Sequence, residues 1–84
     1  MPAGWPPWWE WELELSGHVL ARMEDRGFTE TDLRAMLERA QLLIPERTPG
    51  RWAVSASHRW RRWLVIVEPD ELRRTLVVIT AYPR

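Results

Sequence analysis

Apolar and acidic residues alternate without a break from Trp9 to Leu15, and this short stretch constrains the fold more than any other. Trp9, Trp11, Leu13 and Leu15 fall on one parity, and Glu10, Glu12 and Glu14 on the other. A period of two sends successive side chains to opposite faces of an extended chain, so the pattern predicts an amphipathic strand that starts near Trp8. The period then changes. Ser16 stands where an N-cap belongs, its hydroxyl able to accept from a free backbone N–H, and Val19, Leu20 and Met23 follow at helical spacing. Gly27 supplies a left-handed stop. Thr29 with Asp32 makes a Ser/Thr-x-x-Asp/Glu start signal, and Leu33, Met36, Leu37 and Ala40 form one stripe of a second helix.

Beyond residue 40 the helical period is lost. The apolar runs Leu42 to Ile44, Trp52 to Ala56, Trp63 to Val67 and Leu76 to Ile79 are separated by Pro45, Pro49-Gly50 and Pro69-Asp70. Short runs rich in valine, isoleucine and tryptophan between turn residues predict an antiparallel meander. The last two runs are apolar on both parities, which predicts central strands covered by the helices on one face and by another layer on the other. The expected fold is therefore α+β: an N-terminal strand and two-helix hairpin packed on one face of an antiparallel sheet of about four strands. Residues 1–7, with three prolines and a glycine, read as an irregular arm, and residues 8–84 as a single domain.

With 84 residues and no cysteine, the chain has room for one core and excludes disulfides, thiolate zinc sites and thiol catalysis. Trp5, Trp8 and Trp9 exceed what so small a core is expected to hold, and so read as anchors for a protein partner or a homodimer. The longest apolar run, Trp63 to Val67, is far short of the roughly 20 residues that span a bilayer, and no basic-then-apolar leader opens the chain. A cytoplasmic protein with no membrane partner is expected.

Twelve basic residues balance twelve acidic ones, and every basic residue is arginine. Neutrality argues against non-specific coating of nucleic acid. It hides a gradient: residues 1–30 carry six acidic and two basic side chains, whereas residues 46–84 carry four and eight.

His18, Arg22 and Arg26 recur at i, i+4 and i+8, one column along the first helix beside its apolar stripe. Two readings stand. Arg26 pairs with Glu30 and Arg22 with a residue such as Glu14; or the histidine moves a proton while the arginines hold a phosphate through their bidentate forks. His58 is a rival for the proton role. No motif for nucleotide or dinucleotide binding or for a hydrolase nucleophile is present. With two histidines and no carboxylate cluster beside them, neither a metal nor another cofactor is expected. Glu10, Glu12 and Glu14 read as a solvated edge.

The stretch Arg59-Trp60-Arg61-Arg62 interleaves guanidinium groups and an indole, the composition of a surface that tracks phosphates and stacks bases. The structural alternative sends Trp63 to the core and pairs Arg61 and Arg62 with acidic residues such as Glu68 and Glu71. Thr80 and Tyr82 share a strand face near the end of the chain, and Arg51 opens the adjacent hairpin.

The sequence His18-Val-Leu-Ala-Arg22-Met23-Glu-Asp-Arg26-Gly27-Phe28-Thr29, followed by a valine-rich meander and Ile79-Thr80-Ala81-Tyr82, resembles a family of small bacterial domains of unknown function. Its members open with a His-x-x-x-Arg-Met-x-x-Arg-Gly helix hairpin and close with a Val-Thr-x-Tyr strand. That family looks similar to the toxin ribonucleases of the barnase, EndoU, colicin and RelE fold, and to BrnT-type toxins. The resemblance covers residues 13–82. It implies a RelE- or barnase-like architecture and a cytoplasmic toxin with a cognate antitoxin, cleaving RNA without a metal. His18, Arg22, Arg26, Thr80 and Tyr82 correspond to the family's motif positions, with Arg51 as a further candidate. Relatives have a plainer, glycine-containing turn where this chain has Trp60, so an RNA-binding or protein-interaction module without chemistry is the alternative expectation.

Overall fold

The computed structural model describes residues 4–84; the first three residues of the expected arm lie outside the described residues. A short 3-10 helix, Pro7–Glu10, precedes β1 (Glu12–Leu15), α1 (Gly17–Arg26), α2 (Glu30–Glu38), β2 (Leu42–Pro45), β3 (Trp52–His58), β4 (Arg61–Asp70) and β5 (Thr75–Pro83). The five strands form one sheet in the order β1-β5-β4-β3-β2. β2 through β5 are the expected antiparallel meander, with β4 at its centre.

Two features correct the expected fold. The sheet is mixed and five-stranded, because β1 joins it beside β5 in parallel, with Glu12 opposite Thr75 and Leu15 opposite Val78. The first strand also begins at Glu12 and not near Trp8. Pro7 lacks an N–H and has a helix-compatible φ, so it opens a 3-10 turn in which the Trp9 N–H donates to the Pro6 carbonyl at 3.0 Å.

Both helices start and stop on local chemistry. The Ser16 hydroxyl accepts from the Val19 N–H at 3.0 Å, and Gly27 closes α1 at φ +71°, a left-handed conformation that glycine adopts without a Cβ clash. Thr29 and Asp32 form a reciprocal capping box on α2. The helices lay Val19, Met23, Leu33, Met36 and Leu37 on Val54, Val65, Val67, Leu76 and Val78 of the sheet. No helix or strand among the described residues covers the opposite sheet face, so the second layer expected over the central strands is absent there.

The N-terminal tryptophans fit the molecule after all. Trp9 is buried, Trp5 stacks edge-on against it at 4.6 Å, and Trp8 lies 5.8 Å from Trp52. Trp5, Trp8 and Trp11 pack against the same core cluster, at its margin.

A β-bulge in β5 positions the candidate site. Up to Val78, even-numbered residues of β5 face the helices: Leu76 and Val78 are buried in the core. The pairing then shifts, with Val67 opposite Val78 but Ile66 opposite Thr80, so Ile79 is an extra residue on β5. One added residue reverses the parity of everything after it. Ala81, opposite Val65, becomes the core residue, and Thr80 and Tyr82 turn to the uncovered face beside Ile66 and Leu64.

Candidate functional site

The bulge is also where the first helix is fastened. The Ser16 N–H donates to the Val78 carbonyl at 3.1 Å, and the Ser16 hydroxyl donates to the Ile79 carbonyl at 2.7 Å while accepting from Val19. β1 pairs with β5 only as far as Val78, so α1 begins where β5 loses its strand neighbour on that side. His18, in the first turn, is two residues from this junction, and Thr80 is the residue after it. At its far end α1 leads through Gly27 to Phe28, whose ring packs 5.1 Å from Trp63 and 6.0 Å from His58. At 1.5 Å per residue the helix carries His18, Arg22 and Arg26 over about 12 Å, from the bulge toward the β3–β4 hairpin.

The pairings that would neutralise this column do not form. Glu30 is taken by Arg34 at 3.1 Å, and Glu14 by Arg73 at 2.8 Å. Glu14 raises the Arg73 guanidinium above its ordinary pKa, through its hydrogen bond and then its charge. Among the described residues neither Arg22 nor Arg26 has a carboxylate partner within 4.0 Å, although Arg22 is half-buried. Arg51 holds Glu68 at 2.9 Å, on the other side of the bulge from Leu64, which faces Tyr82.

His58 packs among aromatic rings, 6.0 Å from Phe28 and 6.4 Å from Trp63, on the helix-covered side. Asp32 lies within the field of His58 and Arg59. Its carboxyl is held below the usual carboxylate range chiefly by the Thr29 backbone N–H at 2.9 Å, against a desolvation cost and with lesser help from the Thr29 hydroxyl and those two groups.

The hairpin tip forms the second part of the site. Arg62 lies over the uncovered face, its Nη1 donating to Gln41 Oε1 at 2.8 Å and to Ser55 Oγ at 3.3 Å, and the Arg84 N–H bonds to the Arg62 carbonyl at 2.9 Å. The structural alternative is thus met only in part: Trp63 enters the core, but Arg62 is bonded to neutral acceptors and not to Glu68 or Glu71. Arg39, at the end of α2, donates to the Ser57 carbonyl at 3.2 Å. Arg39, Ser57, Arg59, Trp60, Arg61 and Arg62 line one open depression of about 540 Å³. Arg39, Gln41 and Ser55 were not legible as site residues, because long-range pairing and no local spacing places them: β3–β4 brings Ser55 to Arg62, β2–β3 brings Gln41 there, and Arg39 reaches the depression through the Ser57 carbonyl. A second depression of about 360 Å³ is lined by Trp9, Trp11, Leu13, Leu37 and Leu76 together with the charged Glu10, Arg34 and Glu38.

Among the described residues no three His, Asp or Glu side chains converge as metal ligands, and no helix is long and apolar enough to cross a membrane. A family described as a domain of unknown function, DUF4258, matches residues 15–83. The chain belongs to this family. The DUF4258 match begins at the last residue of β1 and ends in β5, so it takes in the helix column, the bulge and the hairpin tip, and leaves out the N-terminal tryptophans. No curated protein and no solved structure matches the chain.

Proposed function

We propose that this DUF4258 domain is a metal-independent endoribonuclease that acts as a bacterial toxin. The reading rests on one observation: a helix bearing His18, Arg22 and Arg26, with neither arginine paired to a carboxylate among the described residues, is fastened by Ser16 to the bulge that turns Thr80 and Tyr82 outward.

Cleavage proceeds by attack of a ribose 2′-hydroxyl oxygen on the adjacent phosphorus. The O2′–P bond forms, the P–O5′ bond breaks, one proton leaves the 2′-hydroxyl and another reaches O5′, giving a 2′,3′-cyclic phosphate and a 5′-hydroxyl. His18 is the proton-transfer group, because imidazole is the side chain whose ordinary pKa lies closest to neutral pH. Arg22 and Arg26 stabilise the added charge on the phosphate oxygens through fork-like N–H donors. Thr80 and Tyr82 face the other side of the sheet from α1, so their hydroxyls hold the RNA strand at a point away from the scissile phosphate. Arg51, already held by Glu68, stays outside this group. The partners on this reading are RNA and a cognate antitoxin protein, and the compartment is the cytoplasm.

The test is induction in bacteria. Wild type arrests growth, and His18→Ala relieves the arrest at equal soluble expression. Unimpaired growth with the wild-type chain, or arrest undiminished by His18→Ala, contradicts the proposal.

A further inference from the structure

Trp60 is fully exposed, at 102% of its reference surface, whereas Trp9 and Trp63 are buried. It sits in a two-residue turn between the paired residues His58 and Arg61, and both turn residues have positive φ, +50° at Arg59 and +68° at Trp60. A two-residue hairpin turn with two left-handed residues is the type I′ geometry that favours Asn-Gly, because a Cβ crowds the following carbonyl there. An arginine and a tryptophan in those two positions cost stability, and among the described residues no other ring lies against the Trp60 indole to offset it. A strained position that persists without an internal reason points to a function outside the fold.

What surrounds the indole identifies the ligand. Arg39, Arg59, Arg61 and Arg62 line the depression beside it, and among the described residues none of them is within 4.0 Å of a carboxylate. Two of these guanidinium groups are held in place by neutral acceptors, Arg39 by the Ser57 carbonyl and Arg62 by Gln41 and Ser55, which fix their position and leave their charge unbalanced. Oriented cations flanking an exposed indole suit a chain of phosphates with one unstacked base between them. In a duplex the bases are stacked on one another and present no free face to an indole.

We infer that the β3–β4 hairpin tip is a grip for single-stranded RNA, in which one unpaired base stacks on Trp60 while Arg39, Arg59 and Arg61 hold the flanking phosphates. This rests on the ribonuclease reading and names its substrate class. The helix column runs from the bulge toward the same hairpin, so a strand gripped at the tip is continuous with the cleavage site.

The test uses a fluorescently labelled 2′-O-methyl oligonucleotide, which lacks the attacking hydroxyl and reports binding without cleavage. By anisotropy at fixed salt the intact protein binds the single strand at least tenfold more tightly than the same sequence as a duplex. Trp60→Ala weakens single-strand binding about tenfold or more, and Trp60→Phe recovers part of the loss. Trp60→Gly, which relieves the left-handed strain, raises Tm by several degrees while losing binding to the same extent. Affinity within twofold of wild type for Trp60→Ala, equal binding of duplex and single strand, or no binding at all overturns the inference. Binding that depends on Trp60 in a protein that leaves RNA uncut supports the grip and defeats the nuclease reading. Cleavage with a dispensable Trp60 does the reverse.

Discussion

Ser16 joins helix capping to the placement of the site, so replacing it tests how the site is held. Its hydroxyl makes two bonds in opposite roles: it accepts from Val19 at 3.0 Å and donates to the Ile79 carbonyl at 2.7 Å. Ser16→Ala removes an N-cap, costing about 1 kcal/mol. It also removes a part-buried hydrogen bond and strips a partner from a bulge carbonyl, about another 1 kcal/mol. The sum of about 2 kcal/mol corresponds to a Tm lowered by roughly 8–16 °C for a domain of this size. Ser16→Asp separates the two roles. Its carboxylate still caps the helix and favours the positive end of the helix dipole, but an ionised carboxylate cannot donate to Ile79. It therefore recovers about half of the loss in thermal unfolding followed by circular dichroism. A Ser16→Ala Tm within about 2 °C of wild type refutes the coupling of cap and bulge. Full stability in Ser16→Asp shows that the bond to Ile79 is inert.

Three other perturbations check the fold around the site. Trp9→Ala removes a buried indole that Trp5 and Trp8 pack against, and lowers unfolding free energy in urea by about 3–5 kcal/mol; a loss below about 1 kcal/mol shows that the N-terminal tryptophans do not close the core. Asp32, with its folded pKa depressed, contributes stability that is present above its unfolded value of about 3.9 and is lost as pH falls through the folded one. The Tm advantage of wild type over Asp32→Asn accordingly shrinks as pH is lowered through that range, and an advantage that grows on acidification contradicts the sign. Arg51→Ala breaks a half-exposed ion pair and changes stability by no more than about 1 kcal/mol, less at high salt; a much larger, salt-independent loss means that Arg51 does more than hold Glu68.

How much was legible in the sequence depended on the range of the interaction. The two caps were, because Ser16 with Val19 and Thr29 with Asp32 act within three residues. The order of elements and the central placement of β4 followed from hydrophobic period. The parallel seat of β1 beside β5 did not, since it joins residues about sixty positions apart with no local signature. Nor did the bulge: Ile79 sits in an unbroken apolar run, and only its pairing with β4 reveals that one residue is extra. The candidate residues His18, Arg22, Thr80 and Tyr82 were therefore readable as types, while the turn of the two hydroxyls to the uncovered face was not. The tryptophan excess was misjudged at the N-terminal end. Trp5, Trp8 and Trp9 found places on the core through a 3-10 turn that the alternating pattern concealed, whereas Trp60 remains outside it.

The most direct measurement is the chemistry of the ends that the purified protein leaves on RNA in the presence of EDTA. Wild type yields 2′,3′-cyclic phosphate and 5′-hydroxyl termini at a rate the chelator does not change, and His18→Ala yields none above background. Intact RNA, or products that vanish with EDTA and persist in His18→Ala, contradict a metal-independent site built on α1 and the β5 bulge.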